Sequence, residues 1–212
     1  MIINRERWPR ETIPPIAAYV ALDLVLTTVF ILVSPSGADT GAIRPSDTIL
    51  PKIVELILVG IAIGSVASFA FRKIDLNIFT LSVAFVVLLD VDHVPAALGF
   101  QEPIRPAHTI AFLLALLAVL AFTIKKQAEV ELIAISAFLG HMAADTGEFA
   151  LFAPFSFAYS ALDPYRVSIA AGAVAFALLA GYVKYRRYRS ASRLLMKEAI
   201  VNENQTQNKG SI

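Results

Sequence analysis

The chain has 212 residues, of which 57% are hydrophobic and 17% are charged, and its formal net charge is +1. Soluble domains average about 25% charged residues, so this composition excludes an ordinary soluble domain and indicates a membrane protein. The sequence contains no internal repeat and no nucleic-acid-binding motif. It also contains no cysteine, which excludes disulfides and thiolate metal sites, so any metal site must use nitrogen and oxygen ligands.

The apolar residues form blocks that are long enough to cross a membrane. A helix needs about 20 residues to cross a hydrocarbon core of about 30 Å. Six blocks have roughly this length, namely 16–34, 50–71, 78–98, 107–124, 128–150 and 167–183. The sequence therefore predicts an all-α fold, a polytopic membrane helical bundle with about six transmembrane helices in one domain.

The distribution of basic residues predicts the orientation of these blocks. With the N-terminus in the cytoplasm, the cytoplasmic segments hold 14 Lys and Arg residues and the outer segments hold 4. Because Lys and Arg accumulate on the cytoplasmic side of spans, we predict an N-in/C-in, multi-pass protein of the cell membrane. The first apolar stretch, about 18 residues, is longer than the 7–15 residues of a signal peptide, which favours a retained helix over a cleaved signal.

These observations divide the chain into three regions. Residues 1–49 form an N-terminal flank with an extra transmembrane helix and an outer loop. Residues 50–183 form a five-helix membrane core that carries the candidate site. Residues 184–212 are predicted to be a basic and then disordered cytoplasmic tail.

The third block ends in a cluster of polar residues, Asp90-Val91-Asp92-His93. Pro95 disfavours helical backbone at Val94, so the helix should end there. A frayed helix end allows Asp90, Asp92 and His93 to turn towards a common centre, as metal ligands would. A polar helix terminus that faces water is the alternative for this motif.

The fourth and fifth blocks carry the other two histidines. His141 and Asp145 lie four residues apart, followed by Glu148 on the same helical face. This spacing brings an imidazole and a carboxylate to one ion, although a hydrogen bond between helices would use the same pair. His108 lies near Arg105 in the first turn of the fourth block, where an interfacial role is the alternative. Because the predicted topology places all three motifs at the outer face, we predict one metal site there.

Several other residues carry weaker signals. Glu55 lies at the outer start of the second block and is a further candidate ligand, or else a carboxylate near the headgroups. Asp23 is predicted to lie in the inner half of the membrane, as an interhelical polar contact or a water-facing residue rather than a ligand. Gly60, Gly64 and Ser68 form a stripe of small residues that predicts close helix packing.

The three motifs, in this order, resemble those of a membrane-bound metal-dependent hydrolase family of the LexA-regulated inner-membrane type. The family pattern is Asp-x-Asp-His, then His-Arg-Gly-x-Thr-His-Ser, then His-x-x-x-Asp. The first is complete in Asp90-Val91-Asp92-His93, and the third matches at His141 and Asp145. The resemblance covers roughly residues 50–155.

The second motif and the start of the core depart from the family pattern. Arg105 matches, whereas Ile104 and Pro106 stand in place of a His and a Gly. His108 corresponds to the second His of the motif after deletion of one residue. Glu55 stands near the place where the family usually has a His at the start of its first core helix.

The resemblance implies a membrane-embedded hydrolase, distantly like zinc-dependent phospholipase C, that acts on a phosphodiester or another lipid-linked ester at the outer membrane face. The candidate metal ligands are Asp90, Asp92, His93, His108, His141, Asp145 and Glu55. Mixed imidazole and carboxylate ligands favour Zn²⁺ or Mn²⁺, with one or two ions. Glu148 is the candidate general base, and Arg105 is the candidate phosphate ligand.

Two other functions fit the same residues. A cation or proton transporter would use the carboxylates and histidines as a path, but such a path should extend across the bilayer. A non-catalytic membrane protein would instead keep a structural metal, and a closed, fully ligated site would distinguish it.

Overall fold

The protein is a bundle of α-helices in the computed structural model, which describes residues 8–33, 49–90, 105–124, 127–145, 148–156, 158 and 160–209. Within these residues the helices are α1 (Trp8–Val33), α2 (Ile49–Phe71), α3 (Leu76–Leu88), α4 (Ile110–Thr123), α5 (Ala128–Ala144) and α6 (Arg166–Lys209). Short 3-10 helices cover Pro106–His108 and Asp163–Tyr165. Two-residue strands β1 (Glu148–Phe149) and β2 (Ser160–Ala161) pair antiparallel. The predicted all-α class is confirmed.

Three of the helices are long and apolar enough to cross a membrane. Their qualifying stretches are Glu11–Val29, Lys52–Phe71 and Asp163–Leu194. The helices Leu76–Leu88 and Ile110–Thr123 are also apolar but shorter. The structure is thus consistent with membrane association, while the six-span topology stays a prediction.

The last helix differs from the sequence-based expectation. It continues to Lys209, through the segment that was predicted to be a disordered tail. Residues 184–209 contain neither glycine nor proline, the two residues that most disfavour a helix interior, and many of them are good helix formers. Polarity alone therefore did not distinguish a solvent-facing helix from a disordered segment.

Ion pairs at one end of the bundle join α6 to the starts of two other helices. Lys184 Nζ lies 2.6 Å from Asp75 Oδ2, and Asp75 is the N-cap of α3. Arg187 Nη2 lies 2.7 Å from Glu129 Oε1, in the first turn of α5. α6 therefore runs antiparallel to both helices. We call this end of the bundle the Asp75 end and the opposite one the His141 end.

An aromatic cluster packs α1 into the bundle. Tyr19, which is 1% exposed, has its ring centroid 5.6 Å from that of Phe85 on α3 and 5.2 Å from that of Phe112 on α4. Such rings bury a large apolar area and fix the position of the helices that carry them. The first helix is consequently part of the hydrophobic core.

Glycines allow α2 to approach α3 and α6 at backbone distance. A Cβ atom on Gly60 would lie 2.6 Å from the Cα of Val83, and Gly64 makes a similar approach to α3. On α6, a Cβ on Gly181 would overlap the carbonyl oxygen of Ala67. The small-residue stripe on α2 therefore serves as the packing surface that the sequence predicted.

The Arg187–Glu129 pair is expected to stabilise the Asp75 end. Glu129 is 4% exposed, so its carboxylate depends on protein partners for compensation of its charge. We expect Arg187→Gln to lower the free energy of unfolding by about 1–2 kcal/mol, because the buried carboxylate loses a charged donor. Unfolding in detergent measures the change, with exposed Arg189→Gln as the control that should match wild type. Equal stability of both variants would contradict the prediction.

Candidate metal centre

Four potential ligands meet at the His141 end. Asp90 follows α3, His108 ends the 3-10 helix before α4, His141 lies in the last turn of α5, and Asp145 follows that helix directly. One ligand atom from each lies within 4.8 Å of the ligand atoms of the others. The sequence predicted these four residues as metal ligands, and the structure brings them together as a group that can hold a metal ion.

A small hydrogen-bond network fixes the turn that carries His108. Thr109 is the N-cap of α4, and its hydroxyl accepts a hydrogen bond from Phe112 N at 3.0 Å. The same hydroxyl donates to the carbonyl oxygen of Pro106 at 2.8 Å. These two bonds hold the 3-10 helix against the start of α4, where His108 is 1% exposed. The imidazole is therefore directed into the bundle.

The imidazole and carboxylate atoms converge closely. The Nε2 atoms of His108 and His141 lie 3.0 Å apart. Asp90 Oδ1 lies 3.3 Å from His141 Nε2 and 3.7 Å from His108 Nε2, and Asp145 Oδ2 also lies 3.7 Å from His108 Nε2. Two nitrogen and two oxygen donors thus surround one small volume.

The tautomer of His141 fits a ligand role. Its Nδ1 lies 3.0 Å from the carbonyl oxygen of Val86. A carbonyl oxygen only accepts, so Nδ1 carries a hydrogen and Nε2 is the ring nitrogen directed at the cluster, where the neutral ring would present its lone pair. Val86 is in the last turn of α3, where carbonyl groups lack partners within the helix. Metal-binding histidines are commonly oriented in this way, by a hydrogen bond from the second ring nitrogen.

Three basic residues surround Asp145. Arg105 Nη1 lies 3.0 Å from its Oδ2, and Lys52 Nζ lies 3.5 Å from its Oδ1. Arg166 Nη2 donates to its backbone carbonyl oxygen at 3.0 Å. Lys52 and Arg105 compensate the charge of this carboxylate, and they face the same oxygens that a metal ion would bind.

The centre is closed on one side and accessible on the other. His141 and His108 are 0% and 1% exposed. The side chains of Lys52 and Arg105 are each 33% exposed, and that of Asp90 is 20% exposed. A ligand would therefore approach from the side of the basic residues.

The remaining predicted site residues stand apart from this group or lie outside the description. Asp92 and His93 fall outside the described residues, as does the side chain of Glu148. The prediction that Glu148 shares a helical face with His141 and Asp145 is wrong, because α5 ends at Ala144 and Glu148 begins β1. The side chain of Glu55 is 51% exposed, and its Oε2 lies 3.9 Å from Lys52 Nζ. Lys52 in turn pairs with Asp145, so Glu55 is linked to the centre only through Lys52. The roles assigned to them stay predictions.

Sequence analysis missed Lys52 and Arg166 as parts of the centre. The predicted outer segments contain only four basic residues, and three of them contact Asp145. This scarcity was a usable signal, because basic residues that persist on the outer side need a reason beyond orientation. The fourth, Arg44, lies outside the described residues.

The described centre therefore combines neutral nitrogen donors, carboxylates and nearby cations, which together suit a divalent metal ion and an anionic ligand. The side chains of the centre come from different elements of the bundle, and no element supplies more than two of them. No model of a known protein family, no curated protein and no solved structure matches this chain.

Proposed function

We propose that the protein is a membrane-embedded, metal-dependent hydrolase that acts on a phosphodiester or another lipid-linked ester. The observation that carries this proposal is the orientation of His141, whose Nδ1 hydrogen bond to Val86 directs Nε2 at His108 and Asp90. A hydrogen bond between helices requires one acceptor. A second imidazole and the carboxylate of Asp90 at this nitrogen, with Asp145 close to His108, fit a metal ligand better.

The ligand set favours Zn²⁺ or Mn²⁺, with one or two ions, because both accept mixed nitrogen and oxygen ligands. Both oxygens of Asp145 face cations, so the proposal assigns Asp90, His108 and His141 as the three ligands of the catalytic ion. Three protein ligands and one open position are typical of catalytic zinc sites. A divalent ion held there would activate water and polarise the scissile ester.

The charges around the centre favour an anionic substrate. Lys52 and Arg105 offset the carboxylates of Asp90 and Asp145, so a divalent ion would leave an excess of positive charge. The planar guanidinium of Arg105 matches the geometry of phosphate oxygens, and its 33% exposure leaves it accessible. The proposal also assigns the role of general base to Glu148, on the basis of its position in the sequence.

We place the centre at the outer face of a six-span bundle in the cell membrane. Supporting this orientation, Arg72 and Lys73 lie between α2 and α3 at the Asp75 end, and Lys184 and Arg187 contact the starts of α3 and α5 there. Lys and Arg are enriched on the cytoplasmic side of membranes. A lipid or lipid-phosphate substrate would then reach the centre laterally from the outer headgroup region.

A second candidate is a non-catalytic membrane protein that a metal ion stabilises. The nearly complete burial of both histidines favours it, because structural metal sites are closed to solvent. A cation transporter is less favoured, since the ligand group found among the described residues lies at one end of the bundle.

The test is hydrolysis by detergent-purified protein that has been stripped with a chelator and then reloaded with Zn²⁺ or Mn²⁺. We expect turnover of a chromogenic lipid phosphodiester only after reloading. His141→Ala should show none. Arg105→Gln should keep its metal but lose about tenfold or more of the turnover, because the phosphate loses a bidentate partner.

The outcomes separate the candidates. Stoichiometric metal that raises the Tm without hydrolysis of phosphodiester, phosphomonoester or carboxyl ester would support the non-catalytic protein. Failure of the reloaded wild type to bind either metal would refute both metal-based proposals.

A further inference from the structure

Asp23 on α1 is a buried carboxylate outside the four-residue ligand group. The sequence predicts that it lies in the inner half of the membrane, because the first span enters from the cytoplasm. In the structure α1 begins at Trp8, and Asp23 is 2% exposed. Its position along the bundle determines whether this buried carboxylate belongs to the metal centre.

Two contacts set the register between α1 and α3. Thr12 Oγ1 donates to Asn77 Oδ1 at 3.0 Å, and the rings of Tyr19 and Phe85 are stacked with centroids 5.6 Å apart. From the first contact to the second, α1 advances by seven residues and α3 by eight. The two helices therefore run in the same direction and nearly in step.

The same register places Asp23 beside the end of α3. Asp23 follows Tyr19 by four residues, which corresponds to a rise of about 6 Å. On α3, Tyr19 packs against Phe85, and Leu89 lies four residues beyond Phe85, next to Asp90. By this measure Asp23 is level with the first ligand of the centre.

Packing against α4 gives the same result independently. The ring of Tyr19 also makes an edge contact with Phe112, with centroids 5.2 Å apart. α1 runs towards the His141 end, whereas α4 starts at that end and runs away from it. A step of four residues forward on α1 therefore corresponds to a step of four residues back on α4. That step leads past the start of α4 at Ile110 towards the 3-10 helix that contains His108, and α1 contacts this 3-10 helix. Asp23 is thus level with two of the four ligands.

The side chain of Asp23 lies on the buried face of α1. Residues four apart share a helical face, so Asp23 lies on the face of Tyr19, which packs against α3 and α4. The next two residues, Leu24 and Val25, are each 59% exposed and mark the opposite face. The carboxylate is therefore directed into the groove between α3 and α4.

We infer that Asp23 supports the metal centre as a carboxylate outside the four-residue ligand group, and that its charge raises the affinity of the centre for a divalent ion. This inference rests on the proposed metal site. A carboxylate on the buried face of α1, at the level of Asp90 and His108, adds negative charge close to the ion, and the attraction between opposite charges is strong inside a bundle that excludes water. Asp23 would thereby make α1 a contributor to the site as well as to the core.

The experiment compares Asp23→Asn with wild type in two measurements, the Kd for Mn²⁺ or Zn²⁺ and the Tm of the metal-free protein. We expect the Kd to rise by about tenfold or more, as for residues that support metal ligands. The Tm of the metal-free variant shows whether the substitution also disturbs the packing of α1.

Glu129→Gln is the matched control, since it makes the same chemical change in a buried carboxylate at the Asp75 end. It should leave the Kd unchanged. Asp23→Thr is a second neutral variant in case the asparagine variant does not fold, because threonine's hydroxyl can bond to the preceding turn.

A wild-type Kd in the neutral variant would overturn the inference and leave the proposed function intact. A lowered Tm together with a wild-type Kd would identify Asp23 as an interhelical contact instead. If wild type itself binds no metal, the proposed function fails and the inference fails with it.

Discussion

His141→Ala is expected to abolish stoichiometric metal binding. The substitution removes the nitrogen that lies 3.0 Å from His108 Nε2 and 3.3 Å from Asp90 Oδ1, and it leaves the carbonyl group of Val86 without its donor. Loss of a direct ligand should weaken binding by more than the about 10–100-fold that outer partners contribute. Elemental analysis of detergent-purified protein after gel filtration measures the metal directly.

The control for this experiment lies on the same helix. Ser136 is 0% exposed, and its hydroxyl donates to the carbonyl oxygen of Ala173 at 2.7 Å. Ser136→Ala therefore removes a buried hydrogen bond without touching the centre, and it should retain full metal content at a slightly lower Tm. Stoichiometric metal in His141→Ala would contradict the ligand assignment.

Gly181→Ala is expected to be the most destabilising conservative substitution in α6. The added methyl group would overlap the carbonyl oxygen of Ala67 and press on the side chain of Ala70. A backbone atom cannot rotate away, so α2 and α6 must separate and lose their packing. We expect a loss of about 3 kcal/mol in the free energy of unfolding, at the upper end for overpacking. Titration with a denaturing detergent measures it.

Gly172 offers the same substitution in the same helix. A methyl group there would meet only Leu139 Cδ1, at 3.3 Å, and the end of a leucine side chain can move. Gly172→Ala also gains helix propensity, about 1 kcal/mol, so its stability should equal or exceed that of wild type. Similar losses in both variants would show that the contact with Ala67 is not decisive.

The helices were predictable because each one coincides with an apolar block. Hydropathy locates a block but not the end of a helix, and four errors in helix extent follow from this. α1 begins at Trp8 in a polar segment, and α6 continues to Lys209 in another. The helices in the third and fifth blocks end earlier than predicted, at Leu88 and Ala144. Contacts such as Thr12 to Asn77, which define register, leave no periodic signal in a sequence.

The ligand group was largely predictable because its members occur where membrane proteins rarely have polar residues. A histidine or aspartate at the end of an apolar block is uncommon, and the positive-inside pattern assigned all of them to one face. The signal from Lys52 and Arg166 was weaker and consisted only of the scarcity of basic residues in the predicted outer segments, because a basic residue at a helix end is equally typical of the headgroup region. Only tertiary structure shows that both reach Asp145.

The distribution of the centre over the chain has a consequence for biosynthesis. Chains are made and inserted from the N-terminus, and helices formed early wait in the membrane for later ones. Asp90 and His108 precede α5, whereas His141 and Asp145 become available only once that helix is complete, and Arg166 arrives with α6. A partly made chain thus offers too few ligands to retain an ion. An ion would bind only after the bundle is assembled. Its binding would therefore stabilise assembled chains and not partly made ones.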